Sequence, residues 1–158
     1  MSVAAPDPAP APLPRPSRHV ALDVTLGELL PGRALRLTAL GVDAVALRLW
    51  YEVTPPLAPV NWDDVRADEA ADGVWFLWGR DDRGNEYLDG GGAHGPTADG
   101  RRTEGVHSLL PLPAADAAWL DLAFASPRDA QPFEWPRYTL RVHLPLVVDP
   151  PRLGPAAP

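Results

Sequence analysis

A two-residue alternation of apolar and polar side chains runs through most of this chain and limits what it can fold into. In the segment 20–26, Val and Leu occupy every second position, with Ala, Asp and Thr between them. The segments 45–53 and 137–144 repeat this pattern. Because successive side chains of a strand point to opposite faces, a period of two predicts half-buried strands rather than helices.

The alternation predicts about eight short strands, separated by turns rich in Gly, Pro and Asp. We place them at 20–26, 35–37, 45–53, 74–79, 85–89, 104–110, 119–125 and 137–144. A short helix is predicted at 61–71, where Asn and Asp are suited to cap its first turn. Many short strands with turns between them favour an all-β fold, which we expect to be an antiparallel immunoglobulin-like β-sandwich.

Proline-rich segments flank these strands. Six prolines lie at alternate positions between 6 and 16, and the residues from 150 to 158 have a similar composition. Proline lacks a backbone N–H and favours the polyproline II conformation. We therefore expect disordered tails at 1–17 and 150–158 around one β-sandwich domain at 18–149. A basic, apolar leader and a bilayer-spanning run are both missing, which predicts a cytoplasmic protein without membrane contact.

The charge and composition exclude several functions. The net charge is −7, and the segment 61–100 carries all of this excess, with ten acids against three Arg. Nucleic acid is therefore an unsuitable partner, since phosphates require a basic surface. The chain has no Cys, so thiolate metal sites and cysteine nucleophiles are excluded. We expect a protein partner and no cofactor, and the sequence leaves open whether the chain forms a homo-oligomer.

The most distinctive segment is an aromatic strand that enters the turn Asp81-Asp82-Arg83-Gly84 and leaves through Tyr87. A glycine-rich stretch at 90–96 follows, which we predict to be a loop. This order, with Leu-Pro-Leu-Pro-Ala-Ala further on, resembles immunoglobulin-like β-sandwich proteins of high-GC bacteria over residues 74–125. Similar hairpins occur in immunoglobulin-like domains of bacterial lipoproteins. The resemblance implies a fold, and it carries over no catalytic residue.

No pattern in the chain predicts catalysis or a metal site. The hairpin offers five oxygen donors suited to calcium, but their spacing departs from that of an EF-hand, and a solvated turn is favoured. They are Asp81, Asp82, Asn85, Glu86 and Asp89. The four His residues are far apart in sequence, and no Ser lies in a Gly-x-Ser-x-Gly motif. We therefore predict a protein that is not an enzyme.

With catalysis and metal binding set aside, the sequence suggests two candidate binding surfaces. Acids in the loops at one end of the sandwich, including Asp81 and Asp82, would steer a basic protein partner. The other acids of this set are Asp63, Asp64 and Asp68. This interaction or accessory module is the leading hypothesis.

The alternative is a carbohydrate-binding module. It depends on Trp50, Trp75 and Trp119, which the alternation places outward, where they would form a stacking platform. Trp78 is expected in the core, on the face it shares with Val74 and Phe76.

Overall fold

The computed structural model describes residues 18–59, 73–144 and 146–155, and these form strands and turns without a helix. The strands are β1 (Arg18–Leu30), β2 (Arg33–Val42), β3 (Leu47–Thr54), β4 (Phe76–Asp81), β5 (Glu86–Pro96), β6 (Thr103–Leu110), β7 (Trp119–Ala125), β8 (Tyr138–His143), β9 (Val147–Val148) and β10 (Arg152–Leu153). The first eight confirm the eight predicted strands. The helix predicted at 61–71 and the tail predicted at 1–17 lie outside the described residues.

The strands form one curled antiparallel sheet. Its order is β1-β2-β3-β6-β5-β4-β7-β8-β10, with β9 also paired to β8, and the curl produces a half-barrel. The all-β antiparallel prediction is confirmed, whereas the immunoglobulin-like two-sheet sandwich is not. The difference arises at β3 and β6, where an unbroken ladder from Leu47↔Leu109 to Val53↔Thr103 joins the first three strands to the rest.

The face enclosed by the curl, which we call the inner face, contains the core. Leu, Val and aromatic side chains from nearly every long strand are buried there, and each stabilises the fold by about 1.5–3 kcal/mol. They include Leu35, Leu37, Leu49, Val53, Leu77, Tyr87, Leu120, Leu122, Phe124, Leu140 and Val142. The opposite face of the sheet is called the outer face below.

Side chains from the last strands reach back to the first strand. The Tyr138 hydroxyl donates a hydrogen bond to the carbonyl of Gly27, and the Arg137 guanidinium donates one to the carbonyl of Glu28. These bonds fasten β8 to β1, the two sides of the half-barrel that the strand ladder does not join.

The end of the chain contributes to the sheet. Arg152 pairs with Thr139 and Leu153 with Tyr138, so β10 lies along β8. This differs from the tail predicted from Pro150 onward. A backbone edge of β8 is available there, and the extended conformation that proline favours is close enough to that of a strand to use it.

The glycine-rich stretch at 90–96 is strand rather than loop, so that prediction is wrong. It extends β5, and it pairs with β6 from Gly92↔His107 to Pro96↔Thr103 after a bulge that follows Asp89. At Gly92, a Cβ atom would lie 1.9 Å from the carbonyl oxygen of Val106. Glycine is required here because the two backbones approach more closely than any side chain allows.

Candidate interaction surface

The Asp81 carboxylate is buried beneath the β4–β5 turn and organises it. It accepts hydrogen bonds from the backbone N–H groups of Arg83 and Asn85, the Asn85 side chain and the Tyr87 hydroxyl, at 2.7–2.9 Å. Burial raises its pKa, but the bonds from Asn85, Tyr87 and Arg83 outweigh burial and lower the pKa to about 2. Asp81 therefore fixes the turn instead of facing a partner.

The other predicted acidic residues divide into two groups. Asp82 is exposed, and its Oδ1 atom accepts hydrogen bonds from the backbone N–H groups of Ala118 and Trp119 at 2.8 and 3.3 Å. Asp82 thereby fastens the β4–β5 turn to the start of β7. The remaining three, Asp63, Asp64 and Asp68, lie outside the described residues.

The predicted orientation of the aromatic residues around β4 is reversed. Trp75, expected outward, is only 5% exposed and packs against Phe124 and Tyr51, whereas Trp78, expected in the core, is half-buried on the outer face. Residues 75–78 are all apolar, so alternation alone does not define the inward side of this strand.

The two other tryptophans of the predicted platform lie far from each other. Trp50 is on β3 and Trp119 on β7, four strands away, a separation of roughly 19 Å at the usual strand spacing. The Arg141 guanidinium lies 3.8 Å from the centre of the Trp119 ring, and Asp121 holds it there through two hydrogen bonds of 2.7 Å. The three predicted residues therefore do not form one platform.

An inner-face cluster that the sequence analysis missed surrounds His107. Its Nδ1 atom lies 2.8 Å from Asp89 Oδ2, and its ring packs against Trp75 and Tyr51 at centroid distances of 4.3 and 5.5 Å. Burial and the charge of Asp89 raise the pKa of Tyr51 to about 12. The cluster follows from the register in which the glycine-rich stretch pairs with β6, and the sequence alone does not supply that register.

The Asp89–His107 pair holds the β5 bulge. Asp89 also accepts a hydrogen bond from the backbone N–H of Gly91 at 2.8 Å. Burial raises the pKa of Asp89, and the bonds from His107 and Gly91 reverse this and lower it. The hydroxyl of the neighbouring Ser108 accepts a hydrogen bond from Arg48 at 2.9 Å. The cluster therefore joins β5 to β6 at the bulge.

Apolar side chains form a row across the outer face of three adjacent strands. Trp78 on β4 pairs with Leu88 on β5, and Leu88 pairs with Leu110 on β6. Leu88 is 65% exposed and Leu110 40% exposed. In a sheet with one solvated face, these positions are normally polar, so the row needs an explanation.

Phe133, in the loop between β7 and β8, extends this row. Its ring lies 5.2 Å from the ring of Phe76 in a stacked arrangement and 5.2 Å from the ring of Trp78. Phe133 nevertheless remains 66% exposed. The loop thus adds an aromatic wall to the outer face, beside Trp78.

Two clefts of about 530 and 670 Å³ lie along the row, and Leu88 and Asp89 line both of them. The first contains the aromatic wall, with Arg80 and Glu86 at its rim, and the second continues past Leu110. We call the whole feature the outer groove and define it by Val45, Phe76, Trp78, Leu88, Leu110, Leu112 and Phe133. Most of the side chains that define it are apolar.

Within the described ranges, no group of three or more His, Asp or Glu could hold a metal ion. The same residues include no helix long and apolar enough to cross a membrane.

Comparison with known proteins gives one structural similarity. No family model and no curated protein match the chain. A crystal structure described as the conserved domain protein from Bacillus anthracis is similar over 79% of this chain, with 14% sequence identity and a TM-score of 0.42. The similar region spans 36% of that protein's chain.

Proposed function

We propose that this chain is a non-enzymatic interaction module that binds an extended segment of a partner protein in the outer groove. The observation that carries the proposal is the exposed row of Trp78, Leu88 and Leu110, together with the exposed ring of Phe133. Large apolar side chains grouped on a solvated face mark interaction surfaces, and aromatic anchors supply most of the energy of such contacts.

The form of the groove favours a peptide over a flat protein surface. Its two clefts share Leu88 and Asp89 as lining residues, so an extended chain that binds one cleft could continue into the other. Aromatic rings line one of the clefts, and the exposed side chains of Arg80 and Glu86, which lie 4.0 Å apart, line the same cleft. Hydrophobic pockets with a few polar groups around them are typical of sites that bind peptides and small ligands.

Acidic residues would steer the partner. The exposed Asp82 and Glu86 lie in the β4–β5 hairpin beside the groove, and Asp63, Asp64 and Asp68 add charge in the same acidic part of the sequence. A partner with basic residues beside its apolar segment would therefore associate faster at low salt than at high salt.

A random peptide display library tests the proposal with the full chain as bait. We expect selected peptides rich in apolar and proline residues, and we expect Leu88→Ser and Phe133→Ser each to weaken binding of a selected peptide by more than about tenfold. Leu88→Ser should change the free energy of unfolding by no more than about 0.5 kcal/mol, because Leu88 is 65% exposed. Phe133→Ser also removes the ring contacts with Phe76 and Trp78 and should lower it by about 1 kcal/mol.

Leu153→Ser is the matched control, since Leu153 is 75% exposed and lies outside the groove. Equal binding by all three variants, or a library that yields no binder, would contradict the proposal. The carbohydrate alternative makes a separate prediction, because stacking on Phe133 and Trp78 would give binding on a glycan panel with no peptide selected.

A further inference from the structure

We propose that β1 pairs antiparallel with β1 of a second copy of this chain, across a twofold axis at Leu22. The pairing uses the side of residues 18–26 that faces away from β2, which we call the β1 edge. It is independent of the outer groove, whose apolar row lies on β4, β5 and β6. Three features support it: the ladder of β1, the difference between the two edges of the sheet, and the side chains that the pairing brings together.

β1 has a strand partner on one side only. It is the first strand in the order of the sheet, and it pairs with β2 from Arg18↔Val42 to Leu26↔Leu35. Among the residues that the structure describes, hydrogen bonds from elements other than β2 reach β1 at the carbonyls of Gly27 and Glu28, beyond residue 26. The β1 edge therefore presents a row of backbone N–H and C=O groups to which a further strand can bind.

The opposite edge of the sheet is protected against such pairing. It consists of β9 and β10, which have two residues each, with Pro150 and Pro151 between them. Proline has no N–H, so this edge cannot carry a continuous ladder. β1, in contrast, has 13 residues and no proline. Pairing of β1 with the opposite edge of another copy is therefore disfavoured, and a symmetric pairing of β1 with itself is the alternative.

The alternation along β1 suits a strand that is paired on both sides. Val20, Leu22 and Val24 pack against the core and are half-buried, whereas Ala21 and Asp23 are exposed on the outer face. Directly opposite side chains of an antiparallel pair lie on the same face of the sheet. A second copy would therefore continue the apolar inner face beyond β1 and remove the three half-buried side chains further from water, which is favourable.

The length of the β1 edge favours an axis at Leu22. All nine residues then have a partner, because residues 18 and 26 are equally far from the axis. Val20 lies opposite Val24 of the second copy, and the two Leu22 side chains lie opposite each other. Cross-strand pairs of β-branched and other apolar side chains stabilise a sheet, so this register gives each copy the same favourable contacts.

The charges favour the same axis. An axis at Asp23 would place two carboxylates opposite each other, and like charges at this position destabilise an antiparallel pair. With the axis at Leu22, Asp23 lies opposite Ala21 of the second copy instead. Arg36 of the same chain also neutralises Asp23, through an ion pair of 2.8 Å.

Sedimentation equilibrium of the full chain tests whether the dimer forms. We expect a reversible equilibrium of monomer and dimer between about 10 μM and 1 mM, since one strand pair buries less surface than a standard stable interface. A chain that stays monomeric over this range would overturn the proposal. Oligomers larger than a dimer would overturn it as well, because a symmetric pairing of one edge closes at two copies.

Two lysine variants test the pairing through charge. Ala21→Lys places a lysine opposite Asp23 of the second copy and should tighten the dimer severalfold. The double variant Ala21→Lys, Asp23→Lys places like charges opposite each other and should weaken the dimer about tenfold, although it lowers the net negative charge of the chain. Both positions are exposed, so the fold is retained. Leu153→Lys, exposed at the opposite edge, is the matched control and should leave the dimer unchanged. An equal effect of all three variants would overturn the pairing.

Disulfide formation tests the register. The chain has no Cys, so Ala21→Cys and Asp23→Cys each introduce a single thiol. Cα atoms of directly opposite residues lie about 4.5–5.5 Å apart, a distance that a disulfide spans. Under mild oxidation, we expect a mixture of the two variants to give a covalent dimer at least about fivefold faster than either variant alone.

A mixture of Ala21→Cys and Thr25→Cys is the matched control for this register. Thr25 is exposed like Asp23, but in the proposed register it lies opposite His19. We expect this mixture to form covalent dimer no faster than its components. Faster cross-linking here than in the first mixture, or equal cross-linking in all samples, would overturn the proposed axis at Leu22.

Discussion

At the scale of single residues, the lowered pKa of the buried Asp81 carboxyl predicts that the stability of the fold depends on pH. Its pKa is lowered to about 2 because four hydrogen bonds to its carboxylate outweigh burial. A carboxyl group with a lowered pKa in the folded state stabilises the fold above its ordinary pKa of about 4. That contribution is lost as the pH falls toward 2.

We therefore expect the free energy of unfolding to decline between about pH 4 and pH 2, and we expect Asp81→Asn to flatten this decline while lowering stability at neutral pH. Urea unfolding at a series of pH values measures both effects. Asp82→Asn is the matched control, since its carboxylate is exposed in the same turn. Equal flattening by the two variants would show that the turn, rather than the buried carboxylate, controls the acid response.

At the scale of the element, the bulge in β5 depends on one glycine. A Cβ atom at Gly92 would lie 1.9 Å from the carbonyl oxygen of Val106, a backbone atom that cannot move without distorting β6. We expect Gly92→Ala to reduce the free energy of unfolding by about 3 kcal/mol. Thermal or denaturant unfolding provides the measurement.

Gly95→Ala is the control for this strand, because nothing lies within 4 Å of a Cβ atom at Gly95. Its effect should stay within about 0.5 kcal/mol. If both alanines proved equally tolerated, the close approach of β5 to β6 would be refuted.

At the scale of the whole molecule, the two sides of the half-barrel are joined through side chains. The Tyr138 hydroxyl donates to the carbonyl of Gly27, and it is a principal connection between β8 and β1. Tyr138→Phe should reduce stability by about 1 kcal/mol, the net worth of such a bond. Amide exchange should accelerate in β1 and β8 and stay unchanged in the β3–β6 ladder. If amide exchange accelerated equally in all strands, the hydrogen bond of Tyr138 would not be a local connection between β8 and β1.

The sequence by itself indicated where eight strands lie, but it misassigned the glycine-rich stretch at 90–96, which extends β5, and the segment 152–153, which forms β10. Alternation is a local property, and the positions of β1 to β8 followed from it because a half-buried strand needs one apolar face whatever its neighbours are. The sequence also indicated the β4–β5 turn, since Asp and Gly tolerate the backbone angles of a tight turn. In that turn Gly84 has a φ of 83°.

Only the tertiary structure decided which face each strand buries and which strands are neighbours. Trp75 turned inward and Trp78 outward because both sides of that strand are apolar, and packing against Phe124 and Tyr51 selected one of them. The outer groove is likewise a product of the tertiary structure. Phe133 is distant in sequence from Leu88 and Leu110, and pairing across the curled sheet alone brings the three onto one surface. Such contacts depend on long-range pairing, about which a local pattern carries no information.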